Sequence, residues 1–349
     1  MSEIIGLIKK LGEIPGVSGH EGAVRDEITA LTKDSCDSYE VDALGNLLIF
    51  KKGAKRPENR IMLSAHMDEV GLIVTHIEED GLLRFAPVGG LDPRMLYGKV
   101  VEIGPARLPG VIGGRAMHHL TDKERETVPE IEKLLIDVGA ADRHEAEKHV
   151  TPGDRAVFSG PFLELGGNYI MGKALDDRAG CALLIGLLRK KEPLPYDCHF
   201  VFTVQEETGC TGALTAAYAI RPDIGIIVET TTGADLPGTT PEQKICRLGE
   251  GPVVTFMDKG TVYDKELYDL AFSLAKRKGL KCQTKSAVAG GNESRSVQTA
   301  GSGARVMAVS LPCRYLHSPS LVIHKDDVEE TYKLLEALIE ELGFYPNSR

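Results

Sequence analysis

The order of strand-like and helix-like segments constrains the fold of this chain more than any other feature of its 349 residues. From Asn168 onward, apolar runs of strand length alternate with segments of helical period. The predicted strands are 169–175, 197–204, 223–229 and 305–312, and the predicted helices are 176–190, 211–220, 263–279 and 325–343. Strands that alternate with helices predict a mostly parallel sheet with helices on both faces. We therefore expect an α/β fold.

A stretch with a different pattern interrupts this alternation. Between residues 69 and 166 the chain shows short alternating runs separated by glycine, among them GLIVTHI, KVVEIG and RAVFSG. Short strands at close spacing predict a small β-barrel or sandwich. We expect a discontinuous α/β domain, 1–68 plus 167–349, that carries a β-rich insertion, 69–166.

The first segment of the α/β domain contains local signals of its own. Ser18 and Glu21 have the spacing of a capping box and predict a helix over 19–33. Gly45-Asn46 predicts the turn of a hairpin. The apolar run RIMLSAH, 60–66, predicts a buried strand.

Composition excludes several classes of function. The formal net charge is −10, which argues against nucleic-acid binding because phosphate neutralisation needs a basic surface. The chain has no Trp and few aromatic residues, so it offers few stacking platforms for polysaccharide. Its seven Cys are scattered without a CxxC pair, as in reduced cytosolic proteins. We see neither a signal peptide nor an apolar run of ~18 residues, and we expect a cytoplasmic protein without membrane contact.

Residues with metal-binding chemistry follow the predicted strands. Open α/β sheets bind ligands at the carboxyl ends of their strands. The acidic and histidine residues at these ends are His66, Asp68, Asp176, Asp177, Glu206, Glu207, Glu229 and His317. Each one alone is explained as a helix cap or a hydrogen-bonded polar residue, but so many carboxylates at one edge would repel one another without a cation between them. Two histidines with carboxylates suit a pair of divalent ions such as zinc or cobalt.

Four motifs occur in an order that is similar to the M42 family of metalloaminopeptidases. They are S-A-H-M-D-E-V-G-L-I-V (64–74), A-L-D-D-R-A-G-C (174–181), V-Q-E-E-T-G-C-T-G-A (204–213) and Y-L-H-S-P (315–319). The resemblance covers essentially the whole chain. It implies a metallopeptidase domain with a PDZ-like or barrel insertion, and two divalent ions, zinc or cobalt, in each subunit.

The resemblance also implies a role for each site residue. His66 and Glu229 would bind the first metal, Glu207 and His317 the second, and Asp176 would bridge the two. Asp68 would orient the His66 imidazole, and the Asp176–Asp177 peptide bond would be cis. Glu206 would be the general base, and Glu293 would lie near the substrate amine. The chain departs from the family pattern at Glu229, where many members have Asp, and at G-N-E-S (291–294), where they have G-T-D-A.

The function implied is removal of the N-terminal residue from short peptides with a free N-terminus, by a homododecamer built from dimers. Three alternatives stay open. One is a glycoside hydrolase of endoglucanase type, which would use paired carboxylates. Another is a dimetal amidase or a carboxypeptidase, whose basic clamp could come from Arg178, Arg295 or Arg314. The last is an inactive assembly protein, which would lack a ligand or the base. The sequence leaves open whether the preferred N-terminal residue is acidic, basic or apolar.

Overall fold

The computed structural model describes residues 1–240 and 243–346. The helices are α1 (Ser2–Gly12), α2 (Gly22–Thr32), α3 (Asp122–Glu126), α4 (Arg143–Ala146), α5 (Leu175–Leu188), α6 (Thr211–Ile220), α7 (Lys265–Lys278), α8 (Ser294–Thr299) and α9 (Lys325–Leu342). Among the described residues, no helix combines the length and the apolarity that crossing a bilayer requires.

The strands are numbered along the chain. They are β1 (Ser38–Val41), β2 (Leu47–Lys51), β3 (Gly53–Lys55), β4 (Ile61–His66), β5 (Gly71–Ile77), β6 (Leu83–Val88), β7 (Val100–Ile103), β8 (Leu108–Gly113), β9 (Leu135–Asp137), β10 (Arg155–Phe158), β11 (Leu163–Leu165), β12 (Tyr169–Gly172), β13 (Leu194–Tyr196), β14 (Cys198–Thr203), β15 (Ile224–Thr232), β16 (Val253–Val254), β17 (Gln283–Thr284), β18 (Arg305–Cys313) and β19 (Leu321–His324).

A central sheet organises the α/β domain. Its strand order in the described residues is β1-β2-β14-β4-β15-β18-β16-β17, and the four middle strands β14, β4, β15 and β18 are parallel. β4 and β18 are buried along their whole length, which explains why they read as continuous apolar runs. The expected α/β fold with a mostly parallel sheet is confirmed.

Helices cover both faces of this sheet. Ile61, Leu63 and Ala65 of β4 pack in a core that also contains apolar residues of α1, α5, α7 and α9. Met62, between them on the strand, joins a smaller core with residues of α6 and α8 on the other face. This division follows from the alternation of side chains along a strand. α9 begins and ends within a residue of the prediction, and α6 coincides with it.

The β-rich insertion is a closed barrel with the strand order β10-β5-β6-β9-β8-β7. It has a hydrophobic core of its own, to which Leu72, Val101, Ile112 and Phe158 contribute. The barrel strands lie within residues 71–158, inside the predicted insertion. The domain boundaries at 69 and 166 stay a prediction.

Two sequence-based expectations were wrong. The strand that begins at Tyr169 lies outside the parallel sheet, because β12 pairs antiparallel with β11 and β19 in a separate three-stranded sheet. Its pairing with β19 joins residues far apart in the chain, which a local pattern does not reveal. The helix expected over 19–33 begins only at Gly22, and neither Ser18 nor Glu21 caps it with a side-chain hydrogen bond. Both side chains are used at the candidate site instead.

Candidate metal centre

The predicted site residues come together at the carboxyl edge of the parallel strands. β4 ends at His66, which lies opposite Thr203, the last residue of β14. Glu206 and Glu207 follow β14 after a short bend, and Glu229 lies within β15. The start of α5 contributes Asp176, and the loop after β18 contributes His317. This arrangement agrees with the rule that open α/β sheets place ligands beyond their carboxyl ends.

Asp176 lies between two histidines. Its Oδ1 is 3.4 Å from Nε2 of His66, and its Oδ2 is 3.5 Å from Nε2 of His317. The same His317 nitrogen is 3.3 Å from Oε2 of Glu207. One ligand atom each from His66, Asp176 and Glu207 lies within 4.8 Å of the other two. The two oxygens of one carboxylate therefore face two different imidazole nitrogens.

These separations are compatible with coordination of a shared cation. Hydrogen bonds between nitrogen and oxygen usually measure ~2.7–3.2 Å. Two ligand atoms that each lie ~2.0–2.2 Å from a tetrahedral zinc ion are ~3.3–3.6 Å apart. The observed range of 3.3–3.5 Å agrees with the second value. Imidazole nitrogens with carboxylate oxygens are also the donors that zinc-like ions prefer. The residues present therefore suit divalent cations.

Like charges and burial shift the proton affinities of the cluster. Burial and the neighbouring carboxylates raise the pKa of Glu206 to about 8 and that of Glu207 to about 7. Burial acts to lower the pKa of His317, but contacts with Asp176 and Glu207 outweigh it and raise that pKa to about 9. The pKa of His66 is raised in the same way, by Asp176 and Asp68. The carboxylates around the two histidines therefore favour positive charge at this site.

Asp68 contacts both His66 and the backbone of the two glutamates. Its Oδ1 accepts a hydrogen bond from the backbone N–H of Glu206 at 3.0 Å, and its Oδ2 accepts one from the N–H of Glu207 at 3.1 Å. Nδ1 of His66 lies 3.2 Å from the backbone carbonyl oxygen of Asp68 and 3.4 Å from its Oδ1. Burial of this fully enclosed carboxylate would raise its pKa, but the contacts with His66 and Ser18 hold the pKa below its usual value. Asp68 therefore contacts the His66 imidazole and the backbone of both glutamates, and its orienting role stays a prediction.

A hydrogen bond to a residue far away in the chain stabilises the bend before Glu206. Gln205 has a left-handed φ of 56°, and its N–H donates to Oε1 of Glu21 at 3.1 Å. Ser18 donates to Oδ2 of Asp68 at 2.5 Å. Consecutive residues of an extended strand point to opposite faces, so a bend is needed for both glutamates to reach one site. Sequence reasoning missed this use of Ser18 and Glu21, because their spacing also matches a helix cap and no local signal distinguishes the two uses.

The remaining predicted residues lie around the cluster. Glu229 lines the same cleft, and its Oε1 accepts a hydrogen bond from Asn292 at 2.6 Å. The peptide bond between Asp176 and Asp177 is cis, as the resemblance implied, and Oδ1 of Asp177 accepts from Gly180 N–H near the start of α5. Glu293, which we expected near the substrate amine, is only 1% exposed and lies outside the cleft lining, but its charge helps to raise the pKa of Glu206, and its role stays a prediction.

A cleft of about 140 Å³ opens onto the cluster. Its lining combines the ligand candidates with small, apolar and hydroxyl-bearing residues: His66, Asp176, Glu206, Glu207, Glu229, Thr230, Thr231, Thr232, Ile245, Lys285, Ala289, Gly290, Gly291, Leu316 and His317. Lys285 is a charged lining residue that sequence reasoning did not consider, since a lysine in a polar segment predicts an exposed side chain.

The arginines proposed as a carboxypeptidase clamp are placed elsewhere. Arg178 is completely buried and donates to the carbonyl oxygens of Met67, Leu11 and Ile14. Arg314 forms a two-point ion pair with Asp235, at 2.6 and 2.7 Å. None of the three arginines lines the cleft. The structure therefore gives no support to binding of a C-terminal carboxylate by these residues.

Comparison with known proteins places this site in a family. The model of the M42 glutamyl aminopeptidase family matches residues 45–334. A lysyl aminopeptidase of Pyrococcus furiosus is 33% identical over 345 residues, which span 96% of each chain. The solved structure of an aminopeptidase from the archaeon Desulfurococcus kamchatkensis has a TM-score of 0.93 and 35% identity, and covers 97% of this chain and 95% of that chain.

A third comparison concerns an assembling relative. The TET1 peptidase of Pyrococcus horikoshii, described as able to assemble into a tetrahedron or a large octahedral shell, has a TM-score of 0.86 and 37% identity. The match covers 97% of this chain and all of that chain. A family model that spans most of the chain favours a peptidase over the glycoside hydrolase alternative. The chain belongs to the M42 peptidase family and is a peptide hydrolase.

Proposed function

We propose that this protein is a dimetal aminopeptidase that removes the N-terminal residue from short peptides with a free N-terminus. The observation that carries the proposal is the placement of Asp176 between His66 and His317, beside a pair of glutamates in one cleft. In the proposed assignment, His66 and Glu229 hold one ion, Glu207 and His317 hold the other, and Asp176 serves both. Zinc and cobalt suit this donor set.

Each residue of the site has a distinct role in the proposed reaction. Two divalent ions, when bound, supply Lewis-acid chemistry and make a water molecule acidic enough to act near neutral pH. Glu206 accepts the proton of the attacking water and delivers it to the departing amine. The carboxylate-rich wall holds the free α-ammonium of the substrate. Asp68 keeps Glu206 and Glu207 in place through their backbone N–H groups. No predicted ligand and no base is missing, unlike in an inactive assembly protein.

A substrate panel with metal removal tests this function. We expect the purified chain to hydrolyse aminoacyl p-nitroanilides, to lose that activity after dialysis against a chelator, and to regain it with zinc or cobalt. N-acetylated versions of the same substrates should not react, because an acylated amine has no ammonium charge. Full activity in the chelated protein, or equal rates with acetylated substrates, would contradict the proposal. Release of sugar from cellulose without peptide hydrolysis would favour the glycoside hydrolase instead.

Metal affinity should depend steeply on pH. His66 and His317 must be neutral to bind a metal, yet their pKa values in the ion-free protein are raised, that of His317 to about 9. Metal binding therefore displaces protons, and the apparent affinity should weaken as the pH falls below about 9. The expected change is about tenfold per pH unit for each proton displaced.

The pH dependence is measured by titrating zinc into chelated protein against a competing fluorescent chelator at pH 6, 7 and 8. The variant His317→Gln serves as the control, because it removes one displaced proton and should give a shallower slope. An affinity that does not change over this range would show that the histidines are not ligands.

We further propose that the chain assembles into a dodecamer built from dimers. Support comes from the Pyrococcus horikoshii relative, whose tetrahedral and octahedral assemblies are described and whose fold covers nearly all of this chain. Light scattering on the purified protein measures the mass directly, to be compared with twelve chains of 37.8 kDa.

A further inference from the structure

A loop of the barrel lies against the metal centre. β6 ends at Val88, and the next two residues are Gly89 and Gly90. A Cβ atom built on Gly89 would lie 3.2 Å from Cβ of Glu207 and 3.5 Å from its Oε2. A Cβ atom built on Gly90 would lie 3.4 Å from Nδ1 of His317. The backbone of the barrel therefore reaches the two side chains that we propose as ligands of the second ion.

The space around these two ligands is nearly filled. The position of Cβ in Glu207 follows from its backbone, whose N–H donates to Asp68 at 3.1 Å. His317 has a left-handed φ of 56°, a conformation that few residues other than glycine adopt. The cavity between the ligands and the barrel side chains of Val70 and Phe158 has a volume of only about 10 Å³, roughly the lower limit for one water molecule. A side chain added to the loop would therefore displace the ligands.

The two glycines differ in what a substitution would disturb. Gly89 has a left-handed φ of 85°, and its added Cβ would also lie 2.8 Å from Cγ1 of Val70. A substitution there combines backbone strain with steric contact. The φ of Gly90 lies outside the left-handed region, so a substitution there tests the contact with His317 by itself.

We propose that Gly89 and Gly90 are positioning residues for the second metal ion. Their bare backbone lets the barrel pack directly against Glu207 and His317, and this packing holds the two ligands in place. The inference rests on the proposed dimetal function, since it takes both side chains as ligands. Oε2 of Glu207 and Nε2 of His317 are 3.3 Å apart, and a metal site tolerates ligand displacements of only ~0.2 Å. A shift of a few tenths of an ångström is thus enough to weaken the site.

The test measures zinc binding to the chelated protein against a competing fluorescent chelator. The wild type should bind two ions. Gly90→Ala should weaken the binding of one ion about tenfold and Gly90→Val should weaken it further, since loss of support for a metal ligand costs ~10–100-fold in affinity. The affinity for the other ion should stay at the wild-type value. The visible absorption of the cobalt-loaded variants should change as well, because it reports the geometry of the ligands.

Two other barrel glycines provide matched controls. Gly113 lies outside the left-handed region, and among the residues that the structure describes its added Cβ would meet nothing within 4 Å beyond its chain neighbours. Gly113→Ala is therefore the control for Gly90→Ala. Gly98 is equally open but has a φ of 71°, so Gly98→Ala reproduces the backbone strain of Gly89→Ala without the contact. Both controls should bind two zinc ions as the wild type does.

Denaturant unfolding separates positioning from a merely structural role. A ligand that binds the native state raises the unfolding midpoint in proportion to its affinity, so zinc should raise the midpoint of Gly90→Ala less than that of Gly113→Ala. Without zinc the two midpoints should be equal. A midpoint lowered equally with and without zinc, unchanged zinc affinity in Gly90→Val, or equal loss of both ions would overturn the inference while leaving a dimetal enzyme. A wild-type chain that binds no divalent ion would refute the proposed function itself.

Discussion

Glu206→Gln is expected to lower kcat by ~10²–10⁴-fold while leaving the metal content unchanged. Glutamine has the same shape as glutamate, but it can neither take a proton from water nor pass one to the departing amine. Glu206 is not one of the proposed ligands, and the Asp68 contact with its backbone N–H does not involve the side chain. The raised pKa of Glu206, about 8, shows how readily this carboxyl binds a proton when no cation is present.

Steady-state kinetics and elemental analysis of the same preparation measure both quantities. Glu40→Gln is the matched control, since Glu40 is exposed on the edge strand β1 and should behave as the wild type. A Glu206→Gln enzyme within tenfold of the wild-type kcat would defeat the base assignment. Loss of metal together with activity would instead identify Glu206 as a ligand.

Arg178→Met is expected to lower the free energy of unfolding by about 3–5 kcal/mol. Arg178 is completely buried and donates from its guanidinium to three backbone carbonyl oxygens, at 2.5, 2.8 and 2.9 Å. It also lies 3.4 Å from Oε1 of Glu69. Methionine fills much of the volume but leaves three buried acceptors without a donor, and each unsatisfied acceptor costs free energy.

Denaturant unfolding of the chelated protein at a fixed concentration measures this loss. Arg189→Met is the matched control because Arg189 caps the same helix, α5, but is part of a surface ion pair with Glu3. Exposed pairs of this kind contribute ~0–1 kcal/mol. Equal losses in the two variants would show that the buried contacts of Arg178 contribute no more than a surface pair does.

Local sequence patterns predicted most helices and strands. The rule that open α/β sheets bind ligands at the carboxyl ends of their strands predicted which residues form the candidate metal centre. The strand that ends at His66 was visible as a continuous apolar run, and the helix over 211–220 as a segment of helical period. His66, Glu207 and His317 follow strands of the central sheet, so placing those strands in one sheet was enough to bring them together. Asp176 lies beside them although the strand predicted before it, β12, belongs to a different sheet. The contacts between these side chains did not have to be known in advance.

Long-range contacts explain what the sequence could not predict. Ser18 reaches Asp68 across 50 residues, and Glu21 reaches Gln205 across 184. Both contacts depend on how α2 is placed against the sheet, and a capping-box spacing does not report that. Glu293 was expected near the substrate from its motif position; it is buried where α8 begins, and its role stays a prediction. Lys285 carries no pattern at all, because only burial distinguishes it from an ordinary surface lysine.

The closed barrel also affects how the chain reaches its native state. The first and last barrel strands, β5 and β10, are antiparallel neighbours, with Leu72 opposite Ala156. The insertion therefore leaves the α/β domain and returns to it at nearly the same point. Once the barrel has formed, the long segment between β4 and β12 acts as a short connection. A shorter connection loses less entropy when its ends are brought together. Early folding of the barrel should therefore speed the assembly of the sheet that carries the metal centre.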